Sequence, residues 1–289
     1  MPQQRMGRVV SADGTEIAYF TSGTGPPLVL VPGGATDHRH WDRVRPHLEA
    51  HVTVHAMDPR GRGASGDRPE FATEREYEDI AAVVDAVAEA SGSTVAVYGH
   101  SHGGACAYGA AGLTSNIGAL MLYEGWPPPN PEDFDWSPEL LEQVDTAAAT
   151  GEREVLEVLA DELISGLVDN FVAGCGATTQ EVEEIRAWYT AQRPAIVDWI
   201  HTVPRILRAW SSAGSDPLAF DVAQAARITV PTLLQADRAV PQWSAGAETV
   251  TQALPDARLS WLDRQYHHAN VLSPQALAEE LLDFLRRRR

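Results

Sequence analysis

The sequence predicts an α/β fold: a mostly parallel eight-stranded sheet with helices on both faces and a helical insert. Three observations carry this. Eight short apolar runs are present, helical patterns alternate with the later ones, and the alternation is interrupted over residues 126–226. Taken in order, Arg8–Val10 and Ile17–Phe20 flank Asp13-Gly14, a pair suited to a hairpin turn. Leu28–Val31, Val52–Met57, Thr94–Tyr98 and Ala119–Leu122 are short and continuously apolar, as expected of strands covered on both faces. Helical spacing over Trp41–Leu48, Glu76–Ala90 and His102–Leu113 supplies the crossovers that parallel strands need.

The rhythm stops at Trp126. Pro127, Pro128, Pro129 and Pro131 read as a stiff linker, and no strand is expected before Thr232. Ser137-Pro138 has the form of an N-cap followed by proline in the first helical position, and Glu152–Leu167 and Glu181–Ile200 are spaced as helices. Five of the eight tryptophans (Trp126, Trp136, Trp188, Trp199 and Trp210) fall here. They either fill the core of a helical insert or wall a pocket, and the sequence leaves both open. The α/β rhythm returns with Thr232–Gln235, a helix from about Trp243, Arg258–Trp261, and a last helix opened by Ser273-Pro274. The expected division is a core of residues 1–125 and 227–289 with an insert over 126–226.

Composition narrows the chemistry. The 289 residues carry 40 acidic and 22 basic side chains, a formal charge of −18, and every basic residue is arginine. Without lysine there is no Schiff-base or pyridoxal lysine and no P-loop lysine. The negative charge disfavours nucleic acid and anionic membranes as partners. The two cysteines, Cys106 and Cys175, and the lack of a leader pattern in Met1–Val10 point to a reducing cytoplasm. No apolar run is long enough to span a membrane.

The strongest chemical signal is Gly99-His100-Ser101-His102-Gly103, between the run ending at Tyr98 and a helix rich in Gly and Ala. A serine at the apex of a sharp strand-to-helix turn adopts a strained backbone, and glycines on either side leave room for it. The turn lifts the hydroxyl above the sheet and sets the His102 amide at a helix N-terminus, where negative charge is favoured. A serine hydroxyl needs a base, and His267 and His268 follow the last expected strand. His38 and His40 line the mouth of such a site or face water. The pairs His38/His40 and His100/His102 have no accompanying Cys or carboxylate at ligand spacing, so no metal is expected. Gly61-Arg62-Gly63-Ala64-Ser65-Gly66 matches a dinucleotide fingerprint in letters only, because Asp67-Arg68-Pro69 follows where a helix should open.

Together with Val31-Pro32-Gly33-Gly34 and Asp58-Pro59-Arg60-Gly61-Arg62-Gly63-Ala64-Ser65, the serine motif resembles the α/β-hydrolase superfamily. The resemblance covers residues 8–125 and 227–289, and implies that the insert is a cap. It implies Gly34 and His102 as oxyanion-hole donors, with Pro32-Gly33 standing where the family usually has His-Gly. It also implies His267 rather than His268 as the base, because Pro274 lies seven residues past His267, a common family spacing. Most members take their acid after strand seven. Asp237 with Pro241 fits that place, although it lies only six positions past Pro231, which is short. A minority branch, including the zearalenone lactonases, takes it after strand six, and Glu124, 23 residues past Ser101, fits that one. Glu124 is preferred and Asp237 remains open.

The expected activity is cofactor-free hydrolysis of a carboxylic ester or lactone of a fairly apolar small molecule, by a monomer or homodimer. Trp126, His38, Trp188 and Trp199 are the candidate substrate contacts. Serine at position 101 disfavours dehalogenase and epoxide hydrolase chemistry, which this fold performs with aspartate there. A hydroxynitrile lyase, a cofactor-free perhydrolase and a ligand receptor with negligible turnover are the alternatives on the same scaffold.

Overall fold

The computed structural model describes residues 4–34, 36–68, 71–126, 138–150, 152–202, 204–205 and 222–287. Within them the chain runs β1 (Arg5–Val10), β2 (Glu16–Gly23), β3 (Pro27–Val31), α1 (Arg45–Leu48), β4 (Thr53–Met57), α2 (Thr73–Ser91), β5 (Val95–His100), α3 (His102–Ala110) and β6 (Ile117–Tyr123). The helices α4 (Pro138–Thr150), α5 (Arg153–Phe171), α6 (Thr179–Trp199) and α7 (Val222–Ala225) follow. The chain then closes with β7 (Thr232–Ala236), α8 (Pro241–Ala253), β8 (Ala257–Trp261), α9 (Ala269–Leu272) and α10 (Pro274–Arg286).

The eight strands form one sheet in the order β1-β2-β4-β3-β5-β6-β7-β8. The pairs β1–β2 and β2–β4 are antiparallel and all others are parallel. The parallel strands therefore end along one edge, where Val31, His100, Tyr123 and Ala236 hand over to loops. Alternation along each strand builds two cores. Val29, Val31, Val97, Leu120, Leu122 and Leu234 pack under α2 and α3. Leu28, Leu30, Tyr98, Met121, Tyr123 and Leu233 pack under α1 and α10 on the other face. Strands β3 and β7 are buried throughout, which explains why their sequences are continuously apolar rather than alternating.

The expected helix over Trp41–Leu48 divides into a 3₁₀ turn, His38–Trp41, and the short α1. Pro46 has no amide proton to donate to the preceding turn, so one helix cannot run through it. Between β6 and β7 every described element is helical, with a third cluster of its own that includes Leu159, Leu163, Ile185, Trp188 and Trp199. Helix α6 opens with a capping box, since Thr178 Oγ1 accepts from the Glu181 amide and the Glu181 carboxylate accepts from the Thr178 amide. The expected linker prolines, Ser137, Trp136 and Trp210 lie outside the described residues. No described helix is long and apolar enough to cross a membrane.

Candidate active site

Strand β5 turns into α3 at Ser101, whose φ of 53° and ψ of −130° lie outside the ordinary regions for a side-chain-bearing residue. The turn is held by the Ser101 amide donating to the Tyr123 carbonyl at 2.9 Å and by the Gly104 amide donating to the Ser101 carbonyl at 2.8 Å. Glycine is required here by contact. A Cβ at Gly99 would lie 2.6 Å from the Gly103 carbonyl oxygen, and one at Gly103 would overlap the Pro32 carbonyl. Ser101 itself is only partly buried, at the lip of the sheet.

His267 sits in the loop between β8 and α9, with a φ of 66°. Its Nδ1 lies 2.6 Å from Glu124 Oε2. Glu124 follows β6 directly, also with positive φ, 42°, and is fully buried. Its backbone amide donates to the Gln235 carbonyl at 2.9 Å, and its Oε1 accepts from the Asp237 amide at 2.7 Å. Burial pushes the Glu124 carboxyl well up and holds the His267 imidazole down at about 3. An uncharged imidazole whose Nδ1–H is directed at a carboxylate carries its lone pair on Nε2, the form a general base needs. Trp243 of α8 stacks parallel to His267 at 5.8 Å, and His100 covers another side at 4.4 Å between ring centres.

Asp237, the other acid suggested by the sequence, is oriented differently. Its Oδ2 accepts from the Gln265 and Tyr266 amides at 2.6 and 2.7 Å, and its Oδ1 accepts from Ala239 at 2.9 Å. It thus pins the loop carrying His267, in which Arg264, Tyr266 and His267 all have positive φ. His268 is likewise engaged elsewhere. Its Nδ1–H donates to the Tyr266 carbonyl at 2.6 Å, and its Nε2 lies 3.0 Å from the Tyr189 hydroxyl.

Gly34 lies against His102, since a Cβ built on it would stand 3.2 Å from the His102 Cβ, and Gly33 similarly lies 3.6 Å from the Ser101 Cβ. The two residues expected to offer oxyanion amides are therefore neighbours beside the serine. The His102 side chain points away, into the core, where its Nε2 meets Glu76 Oε2. Burial opposes charge on Glu76, but His102 and then Arg62 hold its carboxyl down at about 2. Cys106 Sγ is 3.5 Å from the same imidazole, and the donor atoms of Glu76, His102 and Cys106 lie within 4.8 Å of one another. Sequence spacing did not disclose this cluster because Glu76 belongs to α2. The Arg62 guanidinium lies 3.5 Å from Glu76 Oε1. A second such group, Asp37, His38 and Asp58, has Arg39 paired to Asp37.

The remaining expected contacts separate. His38 donates its backbone amide to Asp58 Oδ1, its Nδ1 lies 2.6 Å from the same oxygen, and its ring stacks on Phe20. It lines a cleft of about 300 Å³ with Arg39, Asp42, Arg45 and Glu49, which none of Ser101, Glu124 and His267 lines. Trp126 is fully buried edge-on to Trp243 in the core under α2 and α3. Trp188 is buried against Tyr189 and lies edge-on to His40, 5.5 Å away. Trp199 is buried 6.0 Å from the Arg62 guanidinium. The Gly61–Gly66 loop closes on itself through the Gly61 amide and the Gly66 carbonyl at 2.8 Å, and the next described helix begins only at Thr73. Sequence reasoning missed Trp243, and missed that His40 and His100 turn inward. His100 lay within the serine motif, which was its only available signal.

Comparison with known proteins agrees with this architecture. An alpha/beta hydrolase from Sphaerobacter thermophilus superposes with a TM-score of 0.72 at 30% identity, covering 96% of this chain and 100% of that one. A thermophilic esterase from Thermogutta terrifontis gives 0.71 at 20% identity, covering 98% and 99%. A curated relative, the 2-hydroxy-6-oxo-6-(2'-aminophenyl)hexa-2,4-dienoic acid hydrolase of Metapseudomonas resinovorans, is 32% identical over 120 residues, 40% of this chain and 41% of that one. The match therefore spans about two fifths of that relative's length. The family model for alpha/beta hydrolases matches residues 28–280, and the chain belongs to the alpha/beta hydrolase family.

Proposed function

We propose that this hydrolase cleaves a carboxylic ester or lactone of a fairly apolar small molecule, using Ser101 as nucleophile, His267 as base and Glu124 as the acid behind it. The observation that carries the reading is the 2.6 Å contact between His267 Nδ1 and Glu124 Oε2, with a serine held at positive φ next to His100, whose ring lies 4.4 Å from that of His267. In this mechanism His267 Nε2 takes the hydroxyl proton as Ser101 Oγ bonds to the substrate carbonyl carbon. The carbonyl oxygen becomes an oxyanion and is received by the Gly34 and His102 amides. Collapse breaks the bond to the alcohol oxygen, which His267 protonates as it leaves; in a lactone the alcohol stays tethered. Water, deprotonated by the same imidazole, then releases the acid. Residues 126–226 serve as a cap.

A second reading, hydrolysis of a carbon–carbon bond in a keto acid, is favoured by the curated relative, whose named substrate contains a ketone and no ester. The decisive assay offers purified protein a panel of p-nitrophenyl acyl esters and aryl lactones beside a 6-oxo-dienoic acid, with Ser101→Ala as control. Ester or lactone turnover that vanishes in the control supports the first reading. Keto-acid turnover alone transfers the assignment to the second. Full activity in Ser101→Ala rejects both.

A further inference from the structure

One hydrogen-bonded chain connects the nucleophile strand to the loop after β3. His100, the last residue of β5, places its Nδ1 3.1 Å from His40 Nε2. His40 Nδ1 lies 3.1 Å from Thr36 Oγ1, which donates to the Gly33 carbonyl at 3.1 Å. The Thr36 amide donates to the same carbonyl at 3.2 Å. All three side chains are buried, and burial holds both imidazoles neutral, well below their ordinary range. Each ring therefore has one N–H and one lone pair. Thr36 O–H donates to the Gly33 carbonyl, which only accepts, and the tautomer of each ring sets which partner donates in the His40–Thr36 and His100–His40 contacts.

The Gly33 carbonyl and the Gly34 amide belong to one planar peptide unit. Fixing the carbonyl from one side fixes where the Gly34 N–H points on the other. It also polarises that unit, making the amide a stronger donor. Glycine at both positions would otherwise leave the plane free to turn. We propose that the chain Thr36–His40–His100 holds the Gly33–Gly34 peptide in the orientation that receives the oxyanion, making Thr36 and His40 positioning residues for hydrolysis. This rests on the serine-hydrolase reading above.

The test compares Thr36→Val, Thr36→Ser and His40→Phe with wild type and Ser101→Ala. Turnover is expressed per serine titrated by a fluorophosphonate, so that misfolded protein does not count. Thr36→Val removes the hydroxyl while keeping the shape of the side chain, and His40→Phe removes both nitrogens. Each lowers kcat about tenfold with KM nearly unchanged, less than the 10²–10³ that follows outright loss of a donor. Affinity for a boronic acid transition-state analogue falls by the same factor, and Thr36→Ser restores both. Wild-type kcat per titrated serine in both Thr36→Val and His40→Phe overturns the proposal. So does a rise in KM that accounts for the loss. Activity remaining in Ser101→Ala overturns the hydrolase reading itself, a separate outcome.

Discussion

The three residues proposed as the triad, Ser101, Glu124 and His267, all have positive φ, a conformation that costs about 1–3 kcal/mol for a residue with a side chain. Such strain persists only where neighbours hold it. Around Glu124 the neighbours are the Gln235 carbonyl and the Asp237 amide, and around His267 they include the Asp237 carboxylate on the preceding residues. The two candidate acids thus have different work, which separates their variants. Glu124→Gln lowers kcat roughly 10⁴-fold while leaving the fold intact. Asp237→Asn turns one acceptor into a donor facing amides, lowers thermal stability by about 1–3 kcal/mol, and reduces kcat less than Glu124→Gln does. Steady-state kinetics beside a melting curve distinguishes them. The pH profile follows from burial. With His267 held near 3 rather than 6.5, it stays neutral and basic as pH falls below 6.5. In pH-jump assays short enough to precede unfolding, kcat/KM therefore shows no loss from His267 at pH 6.5, and its acid limb follows protonation of Glu124, whose carboxyl burial pushes up. An acid limb that is unchanged in Glu124→Gln contradicts this. The strained serine turn and the histidine after the last strand were legible from the sequence because both leave local signatures. Glu124 was preferred as the acid but not separated from Asp237, because the two follow adjacent strands and only side-chain direction tells them apart.

At the level of elements, the glycines of the serine turn are steric requirements. Gly103→Ala drives a methyl into the Pro32 carbonyl, backbone that cannot swing aside. Overpacking of this kind typically costs about 1–3 kcal/mol, so the variant melts several degrees lower and loses activity with the displaced Ser101. All eight strands were readable in place, since β3 and β7 are buried on both faces and the others lie between clear turns. The helix expected over Trp41–Leu48 divides because Pro46 lacks the amide that a continuous helix needs there, which apolar spacing does not show. Tryptophans were the weakest guide. Trp126 fills the core under α2 and α3, Trp188 reaches His40, and no sequence pattern separates the two.

Over the whole molecule, buried neutral histidines make stability depend on pH. His267 and His268 are held at about 3 by burial, and burial also lowers His40 and His100. Between about 3 and 6.5 the unfolded chain binds protons that the folded one refuses, so stability falls as pH falls through that window. Glu124, pushed up by burial, acts in the opposite sense and offsets part of it. The urea midpoint is accordingly lower at pH 5 than at pH 7.5, and a midpoint that rises on acidification is inconsistent with these histidines being neutral. Whether the Ser101 hydroxyl is made reactive by its surroundings is read directly by covalent labelling. Wild-type protein treated with a fluorophosphonate and digested yields a single adduct on the peptide containing Ser101, and Glu124→Gln reacts far more slowly. An adduct elsewhere, or none while the protein hydrolyses its substrate, contradicts the account.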